Sequence, residues 1–510
     1  MLDNGRILIG KGEKAVYLEP TMANRHGLIC GATGTGKTVT VKVLAEAFSE
    51  MGVPVFLADV KGDLAGTAKV GEASEGVLKR VDKLGLENFE FKAFPVRFFD
   101  VFAKRGHPIR ATVSDMGPFL LARLLNLTEI QEGVLNIVFH IADDNDLLLI
   151  DLKDLRSMLT FVSNNLKDFI ADYGQMTKQS IGAIQRALLM LEDNGGDVFF
   201  GEPMFDINDF IAHENYKGVI NILDCVELYR KPQIYSTFLI WLLSELFENL
   251  PEVGDLDKPK MVFFFDEAHL LFEDAPKLLV QKIEQTVKLI RSKGIGVYFA
   301  TQNPMDIPDD VLAQLNNRIE HSLRAYTPAE IKKVKMAASS FRANPNFDTA
   351  TIISELKTGE ALVSCLDSEG MPTVVERAMI CPPQSYMGTL DDTRRQQLIE
   401  YSELYGKYEE MINRESAEEI LNQVFEKEAE IEAKSKNQSK NRKVVERAAT
   451  NAMSTFTRET TKDLVDSLVY RKDTSRRKSS VQKATDSAIR TISGEIGRRL
   501  SRGLFDILKR

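Results

Sequence analysis

Eight consecutive residues, Gly31, Ala32, Thr33, Gly34, Thr35, Gly36, Lys37 and Thr38, constrain the fold of this chain more than any other stretch. They match in full the pattern of a phosphate-binding loop, G-x-x-x-x-G-K-[ST]. Glycines let such a loop turn its N–H groups inward around an anion. The loop works only between a strand and a helix, and the flanks supply both. Gly27–Cys30 is a short apolar run that reads as a strand, and Val39–Glu50 carries Val39, Val43, Ala47 and Phe48 near helical spacing. Val53–Ala58 then reads as a buried parallel strand. Strand, helix and strand in this order predict a doubly wound α/β domain. In that setting Lys37 reaches the β- and γ-phosphates of a nucleotide, and the Thr38 hydroxyl ligates Mg²⁺.

A phosphate loop alone leaves the reaction open. Met261–Phe265 narrows it, because this apolar strand runs straight into Asp266 and Glu267. Open α/β sheets bind their ligands at that carboxyl edge. Asp266 is placed to hold Mg²⁺, and Glu267 to polarise an attacking water as general base. A small-molecule kinase has no use for an activated water, so the pair points to hydrolysis. Gln302 ends the next strand, Gly296–Thr301, and is a candidate sensor of the γ-phosphate; the bland alternative is a turn-capping amide before Pro304. Arg291 precedes that strand and is a candidate arginine finger acting on a neighbouring subunit. Its bland alternative is a cation favoured by a helix C-terminus. Arg318 and Arg324 are weaker candidates of the same kind. No guanine-reading NKxD pattern is present, which favours ATP mildly over GTP.

Around this nucleus the pattern suggests four parts. Residues 1–117 form the first half of the ATPase core, after a lead-in of about 25 residues. Residues 118–215 form a helical insertion, with Phe119–Leu127, Glu132–Ala142 and Ser180–Leu191 as its clearest helices. The core resumes over 216–390 and closes with a hairpin near 359–381, and 391–510 is a charged helical arm. That arm is basic from 431: it holds 20 Lys and Arg against 9 Asp and Glu, leaving residues 1–430 at −20 within a total of −9. An acidic body with a basic tail suits contact with a polyanion or a membrane surface. Ile492–Leu508 places Ile492, Ile496, Leu500, Leu504 and Leu508 in one row beside Arg498, Arg499 and Arg502, a basic amphipathic helix. Four scattered cysteines without a CxxC pair argue against zinc and disulfides and fit a cytoplasmic protein. No apolar run is long enough for an integral membrane segment.

Together these residues resemble the HerA-like branch of the FtsK/HerA motor ATPases. The resemblance rests on the phosphate loop with Thr38, Asp59-Val-Lys-Gly-Asp63, Asp266-Glu-Ala-His269, Arg291-Ser-Lys-Gly294, Ala300-Thr-Gln302 and Ile307-Pro308…Leu312…Asn317-Arg318. Phe200-Gly-Glu-Pro203, Leu250-Pro-Glu-Val-Gly254 and Gly359-Glu-Ala-Leu-Val363 are similar to the bacterial YjgR-type group within it. It covers roughly residues 1–390, with a looser match at Arg498–Leu508. The resemblance implies a RecA-like core that uses Mg²⁺ and ATP, assembles as a hexameric ring and moves double-stranded DNA through its pore. It also implies that Arg291 is the trans-acting arginine and Gln302 the polar sensor, with Asp59 and Asp63 beside the nucleotide. That family carries a β-barrel before its loop, where about 30 residues stand here, which leaves a nuclease partner doubtful. A two-domain DEAH-box helicase is rejected, since nothing after Pro383 resembles a second such core. The remaining alternative is an ATP-driven switch that acts on protein or membrane partners without DNA.

Overall fold

The computed structural model describes residues 1–272, 277–427 and 429–430. The chain divides into two compact units, Met1–Glu426 and Lys427–Arg510. The basic tail and the helix expected at Ile492–Leu508 lie outside the described residues.

A 13-stranded sheet organises the first unit. Its centre is parallel and runs in the order Asn317–Glu320, Gly27–Cys30, Ile295–Thr301, Met261–Phe265, Val55–Asp59, Ile220–Asp224 and Val96–Asp100. Every residue of Val55–Asp59, Ile220–Asp224 and Met261–Phe265 is buried, as expected for strands covered on both faces. Alternate side chains enter opposite cores. Phe263 and Phe265 pack with the helical insertion, while Val262 and Phe264 pack with the helix Lys37–Glu50.

The phosphate-loop helix, the two strands beside it and the run into Asp266 match the expectation within a few residues. The flank is richer than the sequence suggested. Asn317–Glu320 pairs antiparallel with Glu360–Ser364, and this strand pairs with Glu376–Ile380. Arg6–Lys11 continues the sheet and carries Leu2–Asp3 and Ala15–Leu18 as its own partners. The short lead-in is therefore sheet edge, three strands too small to stand alone but stable when paired to the core. Val96–Asp100 and His107–Pro108, unmarked in the sequence, close the other side.

The insertion contains Val113–Leu124, Glu129–Asp144, Leu152–Asn164 and Lys178–Asp193. Thr112, Thr128 and Asp151 each close a capping box at the start of one, satisfying N–H groups that the first turn leaves unpaired. Val113–Leu124 begins earlier than expected and breaks at Gly117, with φ of 70°, before Pro118 restarts it. Pro232–Asn249, with Trp241 and Phe238 buried, packs against this layer. Among the described residues no helix is long and apolar enough to cross a membrane.

Candidate functional site

The phosphate loop leaves the end of Gly27–Cys30 and enters the helix at Lys37. Gly31 has φ of +149°, and a Cβ there would stand 2.5 Å from the His321 Cβ. Gly36, at φ +123°, takes a conformation that few other residues adopt. Short bonds fix the loop's shape: Ala32 N–H donates to Ser322 O at 2.9 Å, and Thr35 Oγ1 donates to Ala32 O at 2.7 Å. The N-terminal end of the helix then adds its positive dipole to the loop's inward N–H groups, an anion site by construction.

Lys37 is buried, and its Nζ donates to Gly31 O at 2.6 Å, curled over the loop. Burial pulls its pKa down, while Asp266 and Glu267 pull it back up. Thr38 and Asp266 line one narrow cleft with Val41, Ala58, Leu64 and Phe264. Two oxygen donors in a confined cleft suit Mg²⁺, which keeps several waters and takes few protein ligands. Burial and the neighbouring Glu267 raise the Asp266 carboxyl to about 6, against the downward pull of Lys61 and Lys37. The Glu267 N–H donates to Asp266 Oδ1 at 2.9 Å.

Glu267 is the strained member of the pair. Its backbone is left-handed, at φ 49°, which costs a non-glycine residue about 1–3 kcal/mol. The side chain is buried but weakly held. Gln302 Nε2 approaches its two oxygens at 3.3 and 3.5 Å, His269 Nδ1 stands 3.4 Å away, and Lys61 Nζ 3.8 Å away. A carboxylate surrounded by donors yet tightly bonded to none is free to take a proton from a water.

Lys37, Thr38, Asp266, Glu267 and Gln302 thus meet at one edge of the sheet. Arg291 does not join them. It lies in the turn Arg291–Lys293 that precedes Ile295–Thr301, whereas Gln302 follows that strand. Seven extended residues separate the two by roughly 20 Å, so Arg291 cannot serve its own chain's loop. Around it stand Arg25, which with burial lowers its pKa, and Asp255, which opposes that. Arg318 donates to the carbonyls of Leu315 and Leu312. Arg324 is exposed, three residues beyond His321.

The family model for the helicase HerA-like C-terminal domain matches residues 5–510. The chain belongs to the HerA-like family. Within it, the DNA double-strand break repair helicase HerA of Sulfolobus acidocaldarius is 22% identical over 370 residues, covering 70% of this chain and 66% of that protein. The HerA of Sulfurisphaera tokodaii is 24% identical over 381 residues, 71% of this chain and 67% of its own length. The HerA-like chain thus spans about two thirds of the length of these relatives. The solved bacterial conjugative coupling protein TrwBdeltaN70 shares the fold at a TM-score of 0.50 and 14% identity, over 74% of this chain and 89% of that one.

Two residues of this HerA-like site carry no role in the sequence reading. His321 wedges beneath the loop: Nδ1 faces Glu360 O at 3.0 Å, and Nε2 faces Thr40 Oγ1 at 2.8 Å. A carbonyl only accepts, so the proton sits on Nδ1 and Thr40 donates to Nε2. Burial lowers this histidine to about 4, keeping it neutral. Lys61, inside the quoted Asp59–Asp63 stretch, supplies the cation nearest Glu267 Oε1. Asp59 shapes the turn that delivers it, accepting N–H bonds from Gly62, Leu64 and Ala65 at 2.7 to 3.2 Å.

Proposed function

We propose that this chain is a Mg²⁺-dependent ATP-hydrolysing motor whose copies assemble as a hexameric ring and move double-stranded DNA. The convergence of Lys37, Thr38, Asp266, Glu267 and Gln302 at one carboxyl edge carries this reading. The loop's N–H groups and Lys37 bind the phosphates, and Thr38 and Asp266 hold the metal. Bound Mg²⁺-ATP supplies an electrophilic γ-phosphate. Glu267 orients the attacking water and accepts its proton, while Gln302 faces the Glu267 carboxylate and responds to the γ-phosphate. Arg291, roughly 20 Å from its own loop across one strand, suits a neighbour's site instead, which favours a ring over a monomer. The names of the HerA relatives favour DNA as the track.

The deciding experiment is steady-state ATPase rate with and without double-stranded DNA at low and moderate salt, with light-scattering mass. A hexamer-sized particle stimulated several-fold, more strongly at low salt, is expected, because phosphate contacts weaken steeply with salt. Absence of stimulation at both salts would sink the DNA motor and leave an ATP-driven switch. Arg291→Ala is expected to lose turnover in the assembled particle; isolated monomers hydrolysing ATP at the full rate would remove Arg291 from the mechanism.

A further inference from the structure

A cavity of about 270 Å³ opens beside the phosphate loop, separate from the cleft that Thr38 and Asp266 line. Gly36 and Val39, from the loop and the first turn of its helix, form its floor. Ser74, Val77 and Arg80 come from the helix Glu75–Leu84 and its cap, and Gly359 and Ile380 come from the antiparallel flank. Gly36 belongs to both the loop and the cavity, so a ligand with its phosphates in the loop has this cavity as its next neighbour.

The cavity wall is tied to the loop. Gly359 N–H donates to Thr35 O at 2.9 Å, and Ile380 N–H donates to Gly359 O at 2.9 Å. Gly359 adopts φ of +81°, and a Cβ there would stand 2.4 Å from Arg80 Nη2 and 2.9 Å from Arg80 Cζ. Only a glycine lets the guanidinium lie this close to the backbone. Among the described residues Arg80 makes no ion pair, so its planar face and charge stay available. Guanidinium planes stack on aromatic faces, and Val39, Val77 and Ile380 add apolar surface to the lining. The side chains of the wall include no carboxylate and no amide. Apart from Arg80, the hydroxyls of Ser74 and Thr358 and the backbone groups are all that the wall offers to the edge of a base.

We propose that this cavity is the nucleoside subsite of the loop, with Arg80 stacked on a purine base and Gly359 setting its position, so that adenine and guanine nucleotides bind about equally. Strong rejection of one base requires polar groups built to pair with the other, and with Arg80 committed to the ring face the side chains of this wall leave only the hydroxyls of Ser74 and Thr358. The proposal rests on the reading of Gly31–Thr38 as the phosphate site.

The test is equilibrium binding to the full chain with Mg²⁺, using three probes: a non-hydrolysable ATP analogue, the matching GTP analogue and inorganic tripolyphosphate. Arg80→Ala is expected to weaken both analogues by on the order of tenfold and to leave tripolyphosphate unchanged. Arg80→Lys keeps the charge but loses the plane, and is expected to match the alanine variant. The wild type should bind the two analogues within about tenfold of each other. Unaltered analogue binding in Arg80→Ala, an equal loss for tripolyphosphate, full rescue by lysine, or a hundredfold preference for one base would each overturn the subsite. Lys37→Ala separates the two failures: it should weaken all three probes, and unchanged tripolyphosphate binding there would overturn the phosphate site itself.

Discussion

Two groups of buried acids sit at the same carboxyl edge of the sheet, yet they are held differently. Asp59, Asp100 and Asp224 end or nearly end three neighbouring strands. Asp59 and Asp100 each accept three backbone N–H bonds. Asp224 accepts one from Val226 and pairs with Arg105 and Arg395 at 3.0 and 3.2 Å. After the strand Met261–Phe265, which pairs directly with Val55–Asp59, Glu267 sits on a left-handed backbone, and among the described residues its carboxylate has no partner closer than 3.3 Å. Both groups bear the cost of burying charge. One has its hydrogen bonds made and shapes the turns; the other, among the described residues, is left short of partners, as the general base proposed for it requires. Position at the sheet edge therefore marks where a site can form, and incomplete pairing picks out the acid to test there.

The largest effects should come from the loosely held acid. Glu267→Gln keeps the shape and removes the base, so turnover should fall by about 10²–10⁴ while nucleotide affinity stays within a few-fold. A filter-binding assay beside a rate assay separates the two. Undiminished turnover would move Glu267 into the structural group.

The opposite pattern is expected for Arg395→Ala. Arg395 and Asp224 are both about 95% shielded from solvent, and removing one partner of such a pair costs about 3–5 kcal/mol. Denaturant unfolding should show that loss, while turnover per folded molecule changes little. A selective loss of turnover at unchanged stability would join the two acid groups into one functional network.

A smaller effect follows from Asp59. Burial first, then Asp63 and Asp224, raise its carboxyl to about 7, against the pull of its N–H donors. Its unfolded value is near 3.9. The folded state thus holds a proton that the unfolded chain releases, so stability is greatest below the unfolded value and falls as pH rises towards 7. The slope from this group is at most about 1.4 kcal/mol per pH unit. Unfolding midpoints measured from pH 5 to 8 should show it. Asp59→Asn should flatten that slope while lowering stability throughout, because an amide aims its own N–H groups at backbone donors.

What was legible in the sequence follows from which contacts are local. The phosphate loop is eight contiguous residues whose glycines are needed for the turn itself. Asp266 and Glu267 announce themselves because five apolar residues precede them. Even the exclusion of Arg291 from its own site follows from local order, since it stands before a strand whose far end carries Gln302. His321 was not legible. It reaches Thr40 across 281 residues, and only the pairing of Asn317–Glu320 beside Gly27–Cys30 brings them together. The same holds for Arg80 and Gly359, which meet through the antiparallel flank, and for the lead-in strands, whose partner Glu376–Ile380 lies at the far end of the core.

Lys61 is where the difference between the two acid groups is thinnest. Its turn is shaped by Asp59, from the satisfied group, while its ammonium faces Glu267, from the strained one. The side chain is 43% exposed and its contact is 3.8 Å long, and such pairs contribute about 0–1 kcal/mol. Lys61→Met should therefore lower turnover by less than about fivefold at pH 8. The effect should grow at pH 6. Lys61 is one of two cations that hold the Asp266 carboxyl down against burial and Glu267, at about 6. Without it, more Asp266 is protonated near that pH, and a protonated carboxyl is a poor Mg²⁺ ligand. The checking measurement is the Mg²⁺ concentration for half-maximal rate, taken at both pH values in wild type and variant. A shift confined to pH 6 would tie Lys61 to the chemistry of the carboxylates; the same small loss at both would leave it a solvated end of a structural turn.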